Sequence, residues 1–222
     1  MKLYTKDVTG ILSSIATLLA GKKDALTELD SEIGDGDLGR TMASGFKAAL
    51  ESFEGMDEGA DLSAMITEAG LSMADRVPST MGTLLSLGII RAAREIKGSD
   101  SIDGTAFLSM LRAAVAGIEE RSKARPGDKT LLDALVPATE AFSGALANGG
   151  GFPQCIEAAS AAAWSGVEAS RPLKAVYGKA AAFGQSSIGK QDAGATAVAF
   201  VFDGIRLWFD AERKVSPRSV RE

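Results

Sequence analysis

The chain has 222 residues, 45% of them hydrophobic and 24% charged, which is the composition of an ordinary globular protein. Its net charge of −5 argues against general affinity for nucleic acid or for an anionic membrane. It contains no histidine, which excludes Ser-His-Asp and Cys-His catalysis and any imidazole ligand, and its one cysteine, Cys155, can form no internal disulfide.

Helical periodicity dominates from the start. Val8, Ile11, Leu12, Ile15, Leu18 and Leu19 recur at intervals of three and four, predicting a first helix near 5–29 with a kink at Gly21. Further helices are predicted near 39–54, 61–76, 82–97, 104–123, 130–148, 153–170 and 193–213. Gly98 and the Asn148-Gly149-Gly150-Gly151 run stop two of them, Pro153 suits a first turn, and Pro137 bends the helix it sits in. Cys155 reads as a small buried residue on an alanine-rich helix. Convincing strand alternation is found nowhere, no apolar run is long enough to span a bilayer, and no signal peptide is evident; with a single cysteine, a cytoplasmic protein is expected. No linker divides the chain, so the reading is one all-α domain over residues 1–214 with a polar tail at 215–222.

If successive helices run antiparallel, the connections at 30–38, 77–81, 124–129 and 171–192 fall at the same end of a bundle. The first reads "ELDSEIGDGDLGRTM", residues 28 to 42. Asp30, Asp35 and Asp37 repel one another unless cations or solvent separate them, and oxygen-only ligands suit Mg²⁺ or Ca²⁺ rather than zinc. An EF-hand is excluded by spacing, because position 12 counted from Asp30 or Asp35 is Thr41 or Phe46. A solvated, helix-capping Asx loop is the alternative for this stretch taken alone. Gly39 and its successors open a helix whose free N–H groups favour a phosphate, and carboxylates beside such a site need a bridging metal. The combination reads as a nucleotide–Mg²⁺ site with neither a Walker motif nor a Rossmann unit.

The connection at 124–129 carries the second motif, "SKARPGDKTLLDALVPA", residues 122 to 138, with a turn at Pro126-Gly127-Asp128, a capping Thr130, and Lys129 as a cation for phosphate. The third motif is "SIGKQDAGATAVAF", residues 187 to 200, where Asp192 and Gly194 precede an apolar helix.

"EIGDGDLGRTM", "ARPGDKTLLDALVPA" and "SIGKQDAGATAVAF", in this order and across essentially the whole chain, resemble the nucleotide-binding L subunit, or C-terminal domain, of dihydroxyacetone kinases. The resemblance implies an eight-helix antiparallel closed barrel with ADP or ATP and two Mg²⁺ ions at one end. It assigns Asp30, Asp35 and Asp37 to the metal and Leu38, Gly39, Arg40 and Thr41 to the phosphates. It adds Thr80, Met81, Ser122, Leu131, Lys179, Asp192, Ala193 and Gly194 as further nucleotide contacts. It also implies a K-type partner subunit that binds a small ketose covalently through its own histidine, and negligible kinase activity for this chain alone. The phosphate source is either exchanging ATP or a phosphotransferase-system protein that rephosphorylates bound ADP.

Several positions depart from the family pattern. Leu38 stands where the family has His, and only its backbone N–H is expected to serve phosphate. "PSTMG", residues 78 to 82, replaces a "GGTSG"-like loop, "GKQDAGA" replaces "GHQDPGA", and Lys179 replaces Arg. A non-catalytic nucleotide-sensing module of the same fold is the rival reading.

Overall fold

The computed structural model describes residues 1–57 and 59–215; the tail from 216 onward lies outside the described residues. Among the described residues nine α-helices run in chain order: α1 (Thr5–Gly21), α2 (Lys23–Ser31), α3 (Leu38–Glu54), α4 (Leu62–Arg76), α5 (Thr80–Arg94), α6 (Gly104–Ser122), α7 (Leu132–Ala147), α8 (Phe152–Ser170) and α9 (Ala193–Val215). A 3₁₀ segment spans Lys179–Ser187. Among the described residues the only β pairing is an isolated bridge between Leu3 and Ile102. No helix there is long and apolar enough to cross a membrane.

The helices close into a ring. α1 packs on α3, each of α3 to α9 packs on the next, and α9 returns to α1. That makes eight staves, as the periodicity predicts, with α2 as a short continuation of the first. The predicted 5–29 helix breaks at Lys22, whose N–H bonds back to Leu18 and Ala20, rather than bending at Gly21. Lys22 then lies over the ring of Phe200, 5.5 Å from its centroid, a cation–π contact from the break to α9.

Side-chain caps set where several staves begin. Asp61 accepts from the Ala64 N–H at 2.9 Å, Ser79 from Gly82 at 3.0 Å, Asp103 from Ala106 at 2.8 Å and Asp192 from Ala195 at 2.6 Å. Each satisfies an amide that has no partner within the helix. Small residues let the staves approach. A Cβ on Gly166 would lie 2.0 Å from the Asp133 carbonyl oxygen, the acceptor that Pro137 leaves without its usual helical donor. α8 therefore lies directly on the proline-bearing turn of α7. The interior is apolar, with Leu19, Leu26, Phe53, Phe142, Cys155, Ile156 and Val167 fully buried.

Candidate functional site

The alternation of direction around the ring brings the connections after α2, α4, α6 and α8 to one end. There they surround a cavity of about 670 Å³, a size that admits a nucleotide. Its walls include Asp30, Asp35, Asp37 and Leu38 from the first connection and Ser79, Thr80 and Met81 from the second. Ser122 and Leu131 come from the third, and Lys179, Asp192, Ala193 and Gly194 from the fourth.

The acidic loop is shaped by its glycines. Gly36 has φ +71°, which an L side chain rarely adopts, and a Cβ on Gly34 would meet the Asp30 carboxylate at 2.2 Å. The loop therefore folds back on the last turn of α2, and one oxygen from each of Asp30, Asp35 and Asp37 falls within 4.8 Å of the others. The Lys179 ammonium touches Asp35 and sits 3.7 Å from Asp37. Three oxygen donors that have drawn in a cation, with no nitrogen or sulfur ligand beside them, fit a hard divalent ion such as Mg²⁺.

Leu38 differs from its expected role. Its N–H donates to Asp30 Oδ2 at 3.2 Å, and its side chain is buried in the barrel core. The amide expected to serve phosphate is thus used to fasten the acidic loop, and an apolar side chain stands there because the position is interior. Gly39, Arg40 and Thr41 do not line the cavity. A Cβ on Gly39 would strike the Lys23 carbonyl at 2.0 Å, so this glycine seats α3 against α2. Arg40 is exposed, and Thr41 is buried with its hydroxyl 3.5 Å from that of Ser79.

Ser79 closes the second connection. Its carbonyl accepts the Thr83 hydroxyl at 2.8 Å while its side chain caps α5, so "PSTMG" is a fixed helix entrance with Thr80 exposed at the rim.

The third connection is organised by Asp133, which the sequence motif contains but whose role the sequence reading missed. Its carboxylate accepts the Gly127 N–H at 2.6 Å and the Thr130 N–H at 2.7 Å, bending residues 127–130 into place. Thr130 contributes a weaker cap, its hydroxyl accepting from Leu132 at 3.3 Å. Lys129 corrects the sequence expectation: it offers no exposed cation to a phosphate. It is 1% exposed, and its ammonium donates to the carbonyls of Ser170 (3.0 Å), Arg171 (3.1 Å) and Lys190 (2.5 Å). Burial pushes its pKa below the usual lysine range, opposed first by the Asp192 carboxylate.

The fourth connection folds over the cavity. Val176 N–H reaches Asp128, the Tyr177 hydroxyl donates to the Lys123 carbonyl at 3.2 Å, and Lys190 pairs with Glu32 at 2.8 Å across to the acidic loop. Asp192 is buried at the start of α9, and burial raises its carboxyl to about 7 despite the bond from Ala195. A Cβ on Gly194 would lie 3.4 Å from the Leu131 amide nitrogen, so α9 meets the third connection closely. Tyr177, Arg121 and Ala124 also line the cavity. Ala124 belongs to the 122–138 motif, while no motif marks Arg121 or Tyr177 in the sequence.

A family model described as the DAK2 domain matches residues 32–207. The PEP-dependent dihydroxyacetone kinase ADP-binding subunit DhaL of Escherichia coli (strain K12) is 31% identical over 207 residues, covering 93% of this chain and 98% of that protein. The corresponding ADP-binding subunit of dihydroxyacetone kinase 1 from Listeria innocua serovar 6a is 32% identical over 180 residues, covering 81% and 84%. Among solved structures, the dihydroxyacetone kinase from C. freundii in complex with AMP-PNP and Mg²⁺ is similar with a TM-score of 0.69 at 25% identity. That similarity covers 90% of this chain and 33% of the crystallised one, so the chain spans about a third of that protein.

Proposed function

The chain belongs to the DAK2 domain family, with phosphotransferase subunits among its relatives, and we propose that it is the Mg-nucleotide-binding subunit of a dihydroxyacetone-type kinase. The observation that carries this reading is the gathering of three carboxylates, with oxygens within 4.8 Å, at the wall of a cavity of about 670 Å³. Asp30, Asp35 and Asp37 would hold Mg²⁺. A metal held there would supply charge neutralisation for bound phosphates.

The chain's own residues do the positioning. Asp30 holds the Leu38 amide and so fixes the loop that presents the other two carboxylates. Lys179, which pairs with Asp35 and Asp37 at the cavity wall, would be displaced from them by a metal and would then offer its positive charge to a bound phosphate. The capped starts of α5 and α9 point positive helix ends toward the same cavity. The 171–192 connection contributes Tyr177, Gly178, Lys179 and Ala180 to the cavity wall.

The chain has no histidine and so no residue for the covalent ketose linkage that the family resemblance assigns to a K-type subunit. Dihydroxyacetone, or a related small ketose, is therefore placed on such a partner, and this chain presents the phosphoryl group. Relatives at 31% and 32% identity are named ADP-binding subunits of PEP-dependent kinases, which supports ADP as the resident nucleotide and a phosphotransferase-system protein as phosphate source. A cytoplasmic location goes with that reading.

Isothermal titration with Mg-ADP and Mg-ATP tests the site, and heat of binding that vanishes with EDTA is expected. A coupled assay with a purified K-type subunit and a phosphotransferase-type donor tests the reaction. Binding without ketose phosphorylation by any such combination would leave a nucleotide-sensing module as the better description.

A further inference from the structure

Lys129 is among the largest fully buried side chains of the protein, at 1% exposure, and it is a lysine. A buried ammonium survives only where its protons are matched by acceptors. Here three carbonyl oxygens match them, at 2.5–3.1 Å, and they come from places far apart in the chain. Ser170 and Arg171 lie at the C-terminus of α8, where carbonyls lack helical donors and the helix dipole favours a cation. Lys190 lies at the other end of the connection that runs on to α9. One side chain thus holds both ends of a loop of some twenty residues against the 127–131 turn.

The loop ends have further ties, the Gly189 N–H to the Arg171 carbonyl at 2.8 Å and the Arg171 guanidinium to the Gln191 side-chain oxygen. Between those ends lie Tyr177, Gly178, Lys179 and Ala180, all lining the cavity. The backbone accepts strain for the arrangement: Lys129 has φ +60°, one of two non-glycine residues with positive φ among the described residues. That conformation turns its side chain into the cage.

We propose that the Lys129 ammonium is an internal monovalent cation, a positioning residue that closes the 171–192 loop and so gives the nucleotide cavity its wall. Three convergent carbonyls at these distances are also a site that K⁺ or a small alkylammonium accepts. The consequence for nucleotide affinity rests on the function proposed above; the closure of the loop does not.

The test uses Lys129→Gly, since glycine is at ease at φ +60° and removes the ammonium without disturbing the turn; Lys129→Met supplies a second variant with the aliphatic bulk kept. Amide hydrogen exchange of the full chain without nucleotide is read by segment, beside far-UV circular dichroism. The expected result is wild-type helicity in at least one variant, with exchange in residues 171–192 at least roughly tenfold faster and α1, α4 and α5 unchanged. Methylammonium or K⁺ at about 0.2 M should restore protection to Lys129→Gly, and choline at equal ionic strength should not. Mg-ADP affinity should fall by roughly tenfold or more in the variants and recover with the same cations. Unchanged exchange in the loop, uniform acceleration of every helix, or equal response to all salts overturns the proposal. A wild-type protein that binds no Mg-nucleotide instead overturns the function, while the exchange result still decides the clamp.

Discussion

At the end of the barrel away from the cavity, Phe107, Phe142, Phe152 and Phe209 lie against one another with ring centroids 5.2–5.7 Å apart. At the cavity end the corresponding work is done by a lysine on three carbonyls, an aspartate on two amides and carboxylates on lysines. Aromatic packing is weakly directional, so it stabilises the barrel without prescribing any loop conformation. Charge-assisted hydrogen bonds prescribe geometry, and the water their groups give up to form offsets part of what they contribute to stability. The aromatic end contributes non-directional packing, and the cavity end adds the bonds that shape the site. Substitutions at the two ends should therefore fail in different assays.

The largest effect should come from Phe142→Ala, a fully buried ring, which is expected to cost about 3–5 kcal/mol in denaturant unfolding. Its Mg-ADP dissociation constant, measured where the variant is still folded, should stay near wild type; a parallel loss of affinity would break the division between the ends. Asp37→Asn should do the reverse. Mg-ADP affinity is expected to fall by roughly 100-fold, about 2.7 kcal/mol, with thermal stability and helicity kept, as read by calorimetry and circular dichroism.

Asp192 sharpens the contrast through pH. Its carboxyl is raised to about 7 by burial, from an ordinary 3.8, so between those values the native state keeps a proton that the unfolded chain has lost. Its stabilising contribution is therefore full below about pH 4 and is lost as pH rises toward 7, by up to about 1.4 kcal/mol per unit. Asp192→Asn, neutral throughout, should flatten the wild-type slope in that window, measured by unfolding midpoints. A slope unchanged from wild type would show that Asp192 is ionised in the native protein across this range. The smallest effect belongs to Lys190→Ala. Its pairing with Glu32 is between half-exposed side chains and should contribute about 0.2–1 kcal/mol, with the difference from wild type shrinking in high salt.

The staves were legible because each is amphipathic over many turns, and a period of three to four needs no knowledge of neighbours. Their entrances were less so. α3 starts at Leu38 rather than Gly39, and α5 at Thr80 rather than residue 82, since Ser79 accepts an amide bond that the apolar pattern does not report. The 3₁₀ segment at Lys179–Ser187 has no apolar stripe and was read as loop. In the site, the motif residues converge because alternation of direction sends their connections to one end. Gly39 and Thr41 turn instead toward α2 and Ser79, and Arg40 toward solvent. Leu38 both lines the cavity and packs into the core, a burial that the motif alone does not report.

The sequence by itself determined what is local: eight staves of helical period, an acidic triplet within eight residues, and three motifs spaced for one end of a bundle. Only the tertiary structure decided where long side chains go. Lys129 and Lys179 both read as cations for phosphate, yet one is buried on carbonyls 41 to 61 residues away and the other stands among the carboxylates. Their charge is written in the residue type. Which partner neutralises it depends on chain segments that meet only after the barrel closes.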